Sequence, residues 1–264
     1  MKKIIMHGCN GKMGQAICKM IEKDDTTEIV AGIDINPVNV SFPTFTHIKD
    51  CNIQADVIID FSTATAVDSL IDYCVDKNIP VVICTTGLND ETLKKIDEAS
   101  EHIAIFKSAN MSLGINLIAS LLKKATSILD ENGFDIEIIE KHHNQKIDAP
   151  SGTAFLLANA INESMDNKFK YVYDRSNIRE KRTDNEIGIS AIRGGNIVGE
   201  HSVIYAGKDE IIEFNHFAYS KEVFATGAIN ASKFLIGKPS GKYDMQDIMN
   251  SIIIYRILKD KCFT

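Results

Sequence analysis

Short apolar runs alternate with amphipathic stretches over the first hundred residues. The runs KIIMH (3–7), EIVAGID (28–34), ADVIIDF (55–61), PVVIC (80–84) and HIAIF (102–106) have the length and isoleucine and valine content of buried strands. Helical spacing follows the first of them in AICKMIE (16–22), and returns over 64–77 and 90–100. Segment 36–50 reads as a loop, broken by Pro37 and Pro43. Strands alternating with helices at this spacing predict a parallel, doubly wound sheet. The pattern then changes. A long helix is predicted over 111–129, an alternating strand FDIEIIEKH over 134–142 and a helix over 152–165. Strand-like runs at 187–193, 198–206 and 210–219 have no helix between them, and Gly194-Gly195 and Gly207-Lys208 read as turns, which predicts a mixed or antiparallel sheet. Helical patterns return at 221–235 and 245–258. The fold class is therefore α/β: an N-terminal Rossmann domain plus a second α+β domain, without internal repeats or low-complexity segments.

Composition narrows the function classes. The 264 residues are 44% hydrophobic and 25% charged, as in an ordinary globular protein with ample core. A net charge of −7 argues against general nucleic-acid affinity, and the basic segment RSNIREKR (175–182) reads as a solvated loop. Six cysteines without C-x-x-C spacing, several inside apolar runs, read as reduced thiols in a cytoplasmic protein. MKKIIMHG is too short for a signal-peptide core, and no apolar run reaches membrane-spanning length.

Two stretches carry chemistry. In GCNGKMG (8–14), glycines 8, 11 and 14 follow a predicted strand and open a helix, with Asn10 at the usual second glycine of a dinucleotide fingerprint. Asp34 ends the next strand 34 − 14 = 20 residues later, where a carboxylate binds a ribose 2′-OH. Ile35 and Asn36 supply no arginine for a 2′-phosphate, which favours NADH; Lys12 could still approach a phosphate and keeps NADPH open. The strand ends DFST (60–63) and CTTG (84–87) would line the nicotinamide side, or Ser62 and Thr63 would cap the following helix. The second stretch, EKHHNQKIDAPSGTA (140–154), sets His142, His143 and Lys146 beside a helix that Ser151 should cap. The amides of Gly152 and Thr153 at that helix start favour an anion. Imidazole, ammonium and an anion cradle together indicate acid catalysis on an anionic substrate. No metal is expected, because adjacent strand histidines diverge and no ligand set has convincing spacing. A dehydrogenase of the aspartate or homoserine type would explain the glycine turn and Asp34 but not HHxxK followed by DAPSGT. A protein that senses NADH without turnover is the other alternative.

Over nearly its whole length the chain resembles the 4-hydroxy-tetrahydrodipicolinate reductase (dihydrodipicolinate reductase) family. The resemblance is carried most specifically by EKHH (140–143) and KIDAPSGT (146–153). GKMG (11–14), TTG (85–87), ANMSLGIN (109–116), RGGNIVGEH (193–201) and FATGA (224–228) support it. It implies NAD(P)H-dependent reduction of a small cyclic dicarboxylate in lysine and diaminopimelate biosynthesis. It also implies a cofactor domain of residues 1–113 with 220–264, a substrate and oligomerisation domain of 114–219, and a homotetramer. Carried over by position, His142 is the acid/base and Lys146 the proton donor, while His143, Gly152 and Thr153 bind substrate. Cofactor contacts fall on Gly8, Cys9, Asn10, Gly11, Lys12, Met13, Asp34, Cys84, Thr85, Thr86, Ser108, Ala109, Asn110 and Met111. Asn10 and Cys84 stand where the family usually has glycine; both would meet the cofactor by backbone, so altered affinity rather than lost function is expected.

Overall fold

A computed structural model describes residues 1–36 and 40–252. The chain forms two compact units, Met1–Ser112 with Glu222–Thr264, and Leu113–Lys221.

The first unit holds a seven-stranded parallel sheet. In chain order its strands are β1 (Lys2–His7), β2 (Thr27–Ile33), β3 (Thr44–Phe45), β4 (Val57–Asp60), β5 (Val81–Ile83), β6 (Ala104–Lys107) and, near the chain's end, β12 (Gly241–Tyr243). Their spatial order is β12-β6-β5-β4-β1-β2-β3. All four residues of β4 are buried, as expected for a central parallel strand covered on both faces. One face is covered by α1 (Lys12–Ile21) and α6 (Glu222–Leu235), the other by α2 (Ala64–Lys77) and α3 (Asp90–Ala99). Leu235 of α6 is fully buried in the first of these cores, a burial worth about 1.5–3 kcal/mol.

The second unit has one five-stranded mixed sheet of β7 (Asp135–His142), β8 (Lys170–Tyr173), β9 (Glu186–Arg193), β10 (Gly199–Ala206) and β11 (Ile211–Ala218). Helices α4 (Leu113–Glu131) and α5 (Gly152–Glu163) share a core with one face of it. The alternating burial of β7 and β10 is the signature of a sheet packed on one side.

Strand order departs from expectation at one point. Gly194-Gly195 does not make a hairpin, because β9 and β10 lie on opposite sides of β7, the one parallel and the other antiparallel to it. The glycine segment instead crosses the end of β7, where the Gly194 amide donates to the His142 carbonyl at 2.9 Å and the Asn144 amide donates to the Gly195 carbonyl at 3.2 Å. Gly207-Lys208 does join neighbours, β10 and β11. Strands β3, β8 and β12 were not expected. Residues 245–252 are helical as predicted, and the remainder of that predicted helix lies outside the described residues.

Candidate active site

One candidate cluster, in the first unit, lies where β1, β2 and β4 end. Gly8 has φ +81°, and a Cβ on it would stand 2.5 Å from the Phe61 carbonyl oxygen. A Cβ on Gly14 would stand 2.1 Å from the Gly8 carbonyl oxygen. The first glycine thus makes the turn and the third lets α1 close onto it. Gly11 is the N-cap of α1 and offers no side chain to cap it, so the first-turn amides of Lys12 and Met13 remain for an anion.

Asp34, one residue past the end of β2, does more than follow the strand. Its Oδ2 accepts the Asn10 amide at 2.9 Å and its Oδ1 the Asn36 amide at 3.0 Å. The Asn10 side chain donates to the Asn36 carbonyl at 3.0 Å. The asparagine therefore ties the glycine loop to the segment after β2, a task a glycine could not perform. A cavity of about 670 Å³ is lined by Gly8, Asn10, Gly11, Asp34, Ser62 and Thr63, among others. Cys9 and Met13 are not part of that lining; Cys9 is buried in the core under the loop, and Met13 packs against it.

The turn after β5 and the segment after β6 follow at the same sheet edge. The Cys84 side chain is buried, and burial raises its thiol pKa, with the Asp60 charge adding to the effect. Beside it the Thr85 hydroxyl is buried with no hydrogen-bond partner. Ser108 Oγ donates to the Asn110 carbonyl at 2.8 Å, folding the 108–111 segment back on itself. Ser62 does not cap α2. Its hydroxyl donates to Asp60 Oδ1 at 2.6 Å, and Thr63, the N-cap, makes no side-chain cap bond. Asp60 also pairs with His7 Nδ1 at 2.7 Å, a buried contact beneath the glycine loop that sequence reasoning missed. Both groups are the last residues of adjacent strands, which was the available signal. An uncapped helix start, a turn with no room for a Cβ at Gly8 or Gly14, a strand-end carboxylate and an orphaned buried hydroxyl together fit a dinucleotide.

The other candidate cluster belongs to the second unit and is built on β7. Residues two apart on a strand share a face, so Glu140 and His142 point the same way and His143 lies just past the strand end. Glu140 is wholly buried. Its Oε2 accepts from His142 Nδ1 at 2.6 Å and from Arg193 Nη1 at 2.8 Å. Its Oε1 accepts from Arg193 Nη2 at 2.7 Å and from the Ser151 amide at 3.0 Å. Burial would raise the Glu140 pKa, but the hydrogen bonds from His142 and Arg193, with the neighbouring charge and the amide, outweigh it and hold the carboxyl at about 2.

Arg193 Nη2 also donates to the Asp148 carbonyl at 2.6 Å, and Lys146 Nζ meets Asp148 Oδ1 at 2.9 Å. One continuous polar chain thus folds the 143–150 loop back onto the end of β7. Ser151 caps α5 as expected, its hydroxyl accepting the Ala154 amide at 3.2 Å. A Cβ on Gly152 would meet nothing within 4 Å, so packing does not require glycine there. His201 lies edge-on to His142 with ring centroids 5.1 Å apart, and its Nε2 is 3.1 Å from Ser151 Oγ. Burial, helped by the charge of His142, lowers its pKa to about 3, so its imidazole is neutral. Glu140, Arg193 and His201 were not assigned a site role from sequence. Period-two alternation back from His142 points to Glu140.

Among the described residues no group of three or more His, Cys, Asp or Glu is placed to hold a metal ion, and no helix is long and apolar enough to cross a membrane.

Comparison with known proteins agrees across the chain. Residues 2–111 match the family model described as dihydrodipicolinate reductase, N-terminus, and residues 114–249 match its C-terminus counterpart. A protein of Clostridium tetani named 4-hydroxy-tetrahydrodipicolinate reductase is 53% identical, the match covering 95% of this chain and 98% of the relative. One of the same name from Caldanaerobacter subterraneus is 52% identical, covering 94% and 98%. Among solved structures, a dipicolinate-bound dihydrodipicolinate reductase from Paenisporosarcina sp. TG-14 superposes with a TM-score of 0.75 at 24% identity, covering 92% of this chain and 97% of that one, a likeness of fold. Two family models spanning both units and half-identical relatives of matching length leave one assignment: the chain belongs to the dihydrodipicolinate reductase family.

Proposed function

We propose that the chain reduces 4-hydroxy-tetrahydrodipicolinate to tetrahydrodipicolinate, with release of water, in lysine and diaminopimelate biosynthesis. It is an oxidoreductase with a nicotinamide cofactor. The observation that carries the site assignment is the polar chain that gathers His142, Lys146 and the Ser151-capped start of α5 around Glu140 and Arg193.

The nicotinamide, when bound, supplies the hydride. Gly8 to Met13, Asp34, Cys84 to Thr86 and Ser108 to Met111 would hold the dinucleotide that carries it. Every other task falls to residues of the second unit. One substrate carboxylate takes the amides of Gly152 and Thr153 at the start of α5, where the helix dipole favours negative charge. The open space at Gly152 is then explained by the ligand rather than by the fold. His143 contributes to the same binding. Lys146, as ammonium, donates the proton that neutralises the electron density developing on the ring, and His142 serves as acid/base. General acids of this kind contribute on the order of 10²–10⁴-fold.

NADH is the preferred cofactor. The Asp34 carboxylate, already receiving two amides, has lone pairs left for ribose hydroxyls and would repel a 2′-phosphate. Steady-state oxidation of NADH and, separately, NADPH tests both the reaction and the preference. Substrate would be generated in place from pyruvate and aspartate semialdehyde by a dihydrodipicolinate synthase. Rapid substrate-dependent oxidation with a higher kcat/KM for NADH is expected. A folded protein that binds NADH but oxidises neither cofactor would bring the sensor alternative forward.

The assembly is a homotetramer formed through the sheet face opposite α4 and α5. Apolar side chains on that sheet, Ile192, Ile211 and Phe217, are 47%, 64% and 48% exposed in the single chain. Light scattering should give four times the chain mass of 29.2 kDa; a monomer mass counts against it.

A further inference from the structure

We infer that Glu140, clamped by Arg193 and the Ser151 amide, is a positioning residue that fixes His142 as its Nδ1–H tautomer and reserves Nε2 for proton exchange with substrate. The inference rests on His142 being the acid/base of the reaction proposed above.

A carboxylate has about four lone-pair positions, and all four are taken here. Two face the guanidinium, one faces a backbone amide, and one faces His142 Nδ1 at 2.6 Å. Guanidinium and amide can only donate, and an ionised carboxylate has no proton to give. His142 must therefore donate from Nδ1. The low pKa of Glu140 keeps this true at every pH at which the protein would work.

The other ring nitrogen is kept open. His142 Nε2 has no hydrogen-bond partner among the described residues, and a Cβ on Gly199 would crowd it at 3.1 Å. His201, neutral and edge-on, braces the ring without competing for its proton, because its own Nε2 is engaged with Ser151. Free histidine, by contrast, has nothing to hold its proton on Nδ1.

The test is Glu140→Gln in the full-length enzyme. Placed toward Oε1, the glutamine NH₂ would face two donors, Arg193 Nη2 and the Ser151 amide. Placed toward Oε2, it faces Arg193 Nη1 and His142 Nδ1, and only the histidine can yield, by moving its proton to Nε2. Long-range ¹H–¹⁵N spectra of ¹⁵N-histidine-labelled protein, with His142 assigned by its loss in His142→Asn, read the tautomer directly. Neutral His142 should carry its proton on Nδ1 in the parent and on Nε2 in Glu140→Gln. The kcat should fall by on the order of 10²-fold or more, as for the wrong tautomer in a hydrolase triad, with KM and the NADH Kd within threefold. A parent protein with the proton on Nε2, or a variant that keeps kcat within threefold, overturns the inference. If the variant does not fold, the parent spectrum alone decides. Failure of the proposed function shows instead as absent turnover in the parent, which leaves the tautomer readout standing.

Discussion

Lys146→Ala is expected to lower kcat by on the order of 10²–10⁴-fold, the usual contribution of a positioned general acid, with NADH affinity unchanged. The separation follows from where the residue sits. Lys146 is anchored through Asp148 and Arg193 to the end of β7, in the second unit, whereas the glycine loop and Asp34 belong to the first. His142→Ala should behave similarly for turnover. Isothermal titration with NADH and steady-state assays on the same preparations check both halves of the statement. If NADH binding falls along with kcat, Lys146 acts on cofactor rather than on substrate. If kcat is unmoved, the proton donor lies elsewhere.

Gly14→Ala is expected to raise the Kd for NADH more than tenfold and to lower stability by roughly 1–3 kcal/mol, the range for forcing an extra methyl into a packed site. The added Cβ would lie 2.1 Å from the Gly8 carbonyl oxygen, and the obstruction is backbone, not a side chain that can turn aside. Relief requires α1 to move off the turn, carrying the Lys12 and Met13 amides away from the phosphate position. Gly152→Ala meets nothing within 4 Å of its Cβ and serves as the contrast: stability near that of the parent, with the loss confined to substrate KM. Denaturant titration, together with NADH and substrate titrations, separates the two. Equal stability for both variants would show that the 2.1 Å approach is not a constraint.

The first unit was legible because parallel strands covered on both faces are written as continuous apolar runs, such as VIID at 57–60, set between helical stretches. The turn chemistry was legible for the same reason: a glycine that the backbone requires leaves a mark at a fixed offset. Short edge strands left no such mark. GKY at 241–243 and KYVY at 170–173 hold too few apolar positions to show a period, and their pairing is set by neighbours distant in sequence. The hairpin assumed at Gly194-Gly195 failed because adjacency in the chain was taken for adjacency in the sheet, while β7 lies between. In the candidate site, HHxxK singled out His142 and Lys146, and the fold gives each a carboxylate partner, Glu140 and Asp148. Glu140 and Arg193 lay inside the motifs but were given no role, because only the pairing of β7 with β9 brings their side chains together.

The first unit is discontinuous in the chain, and this imposes an order on synthesis. Strand β12 pairs with β6 through Gly241 and Ala104, and β6 ends at Lys107, so the chain must run 241 − 107 = 134 residues past β6 before its outer edge is paired. Through that interval a ribosome-bound chain carries a parallel sheet with an open edge and, until α6 emerges, one apolar face only partly covered. The inserted unit, whose strands all lie between 135 and 218, has no such debt and can complete itself first. Nascent chains stalled before Glu222 should therefore be the species that chaperones hold.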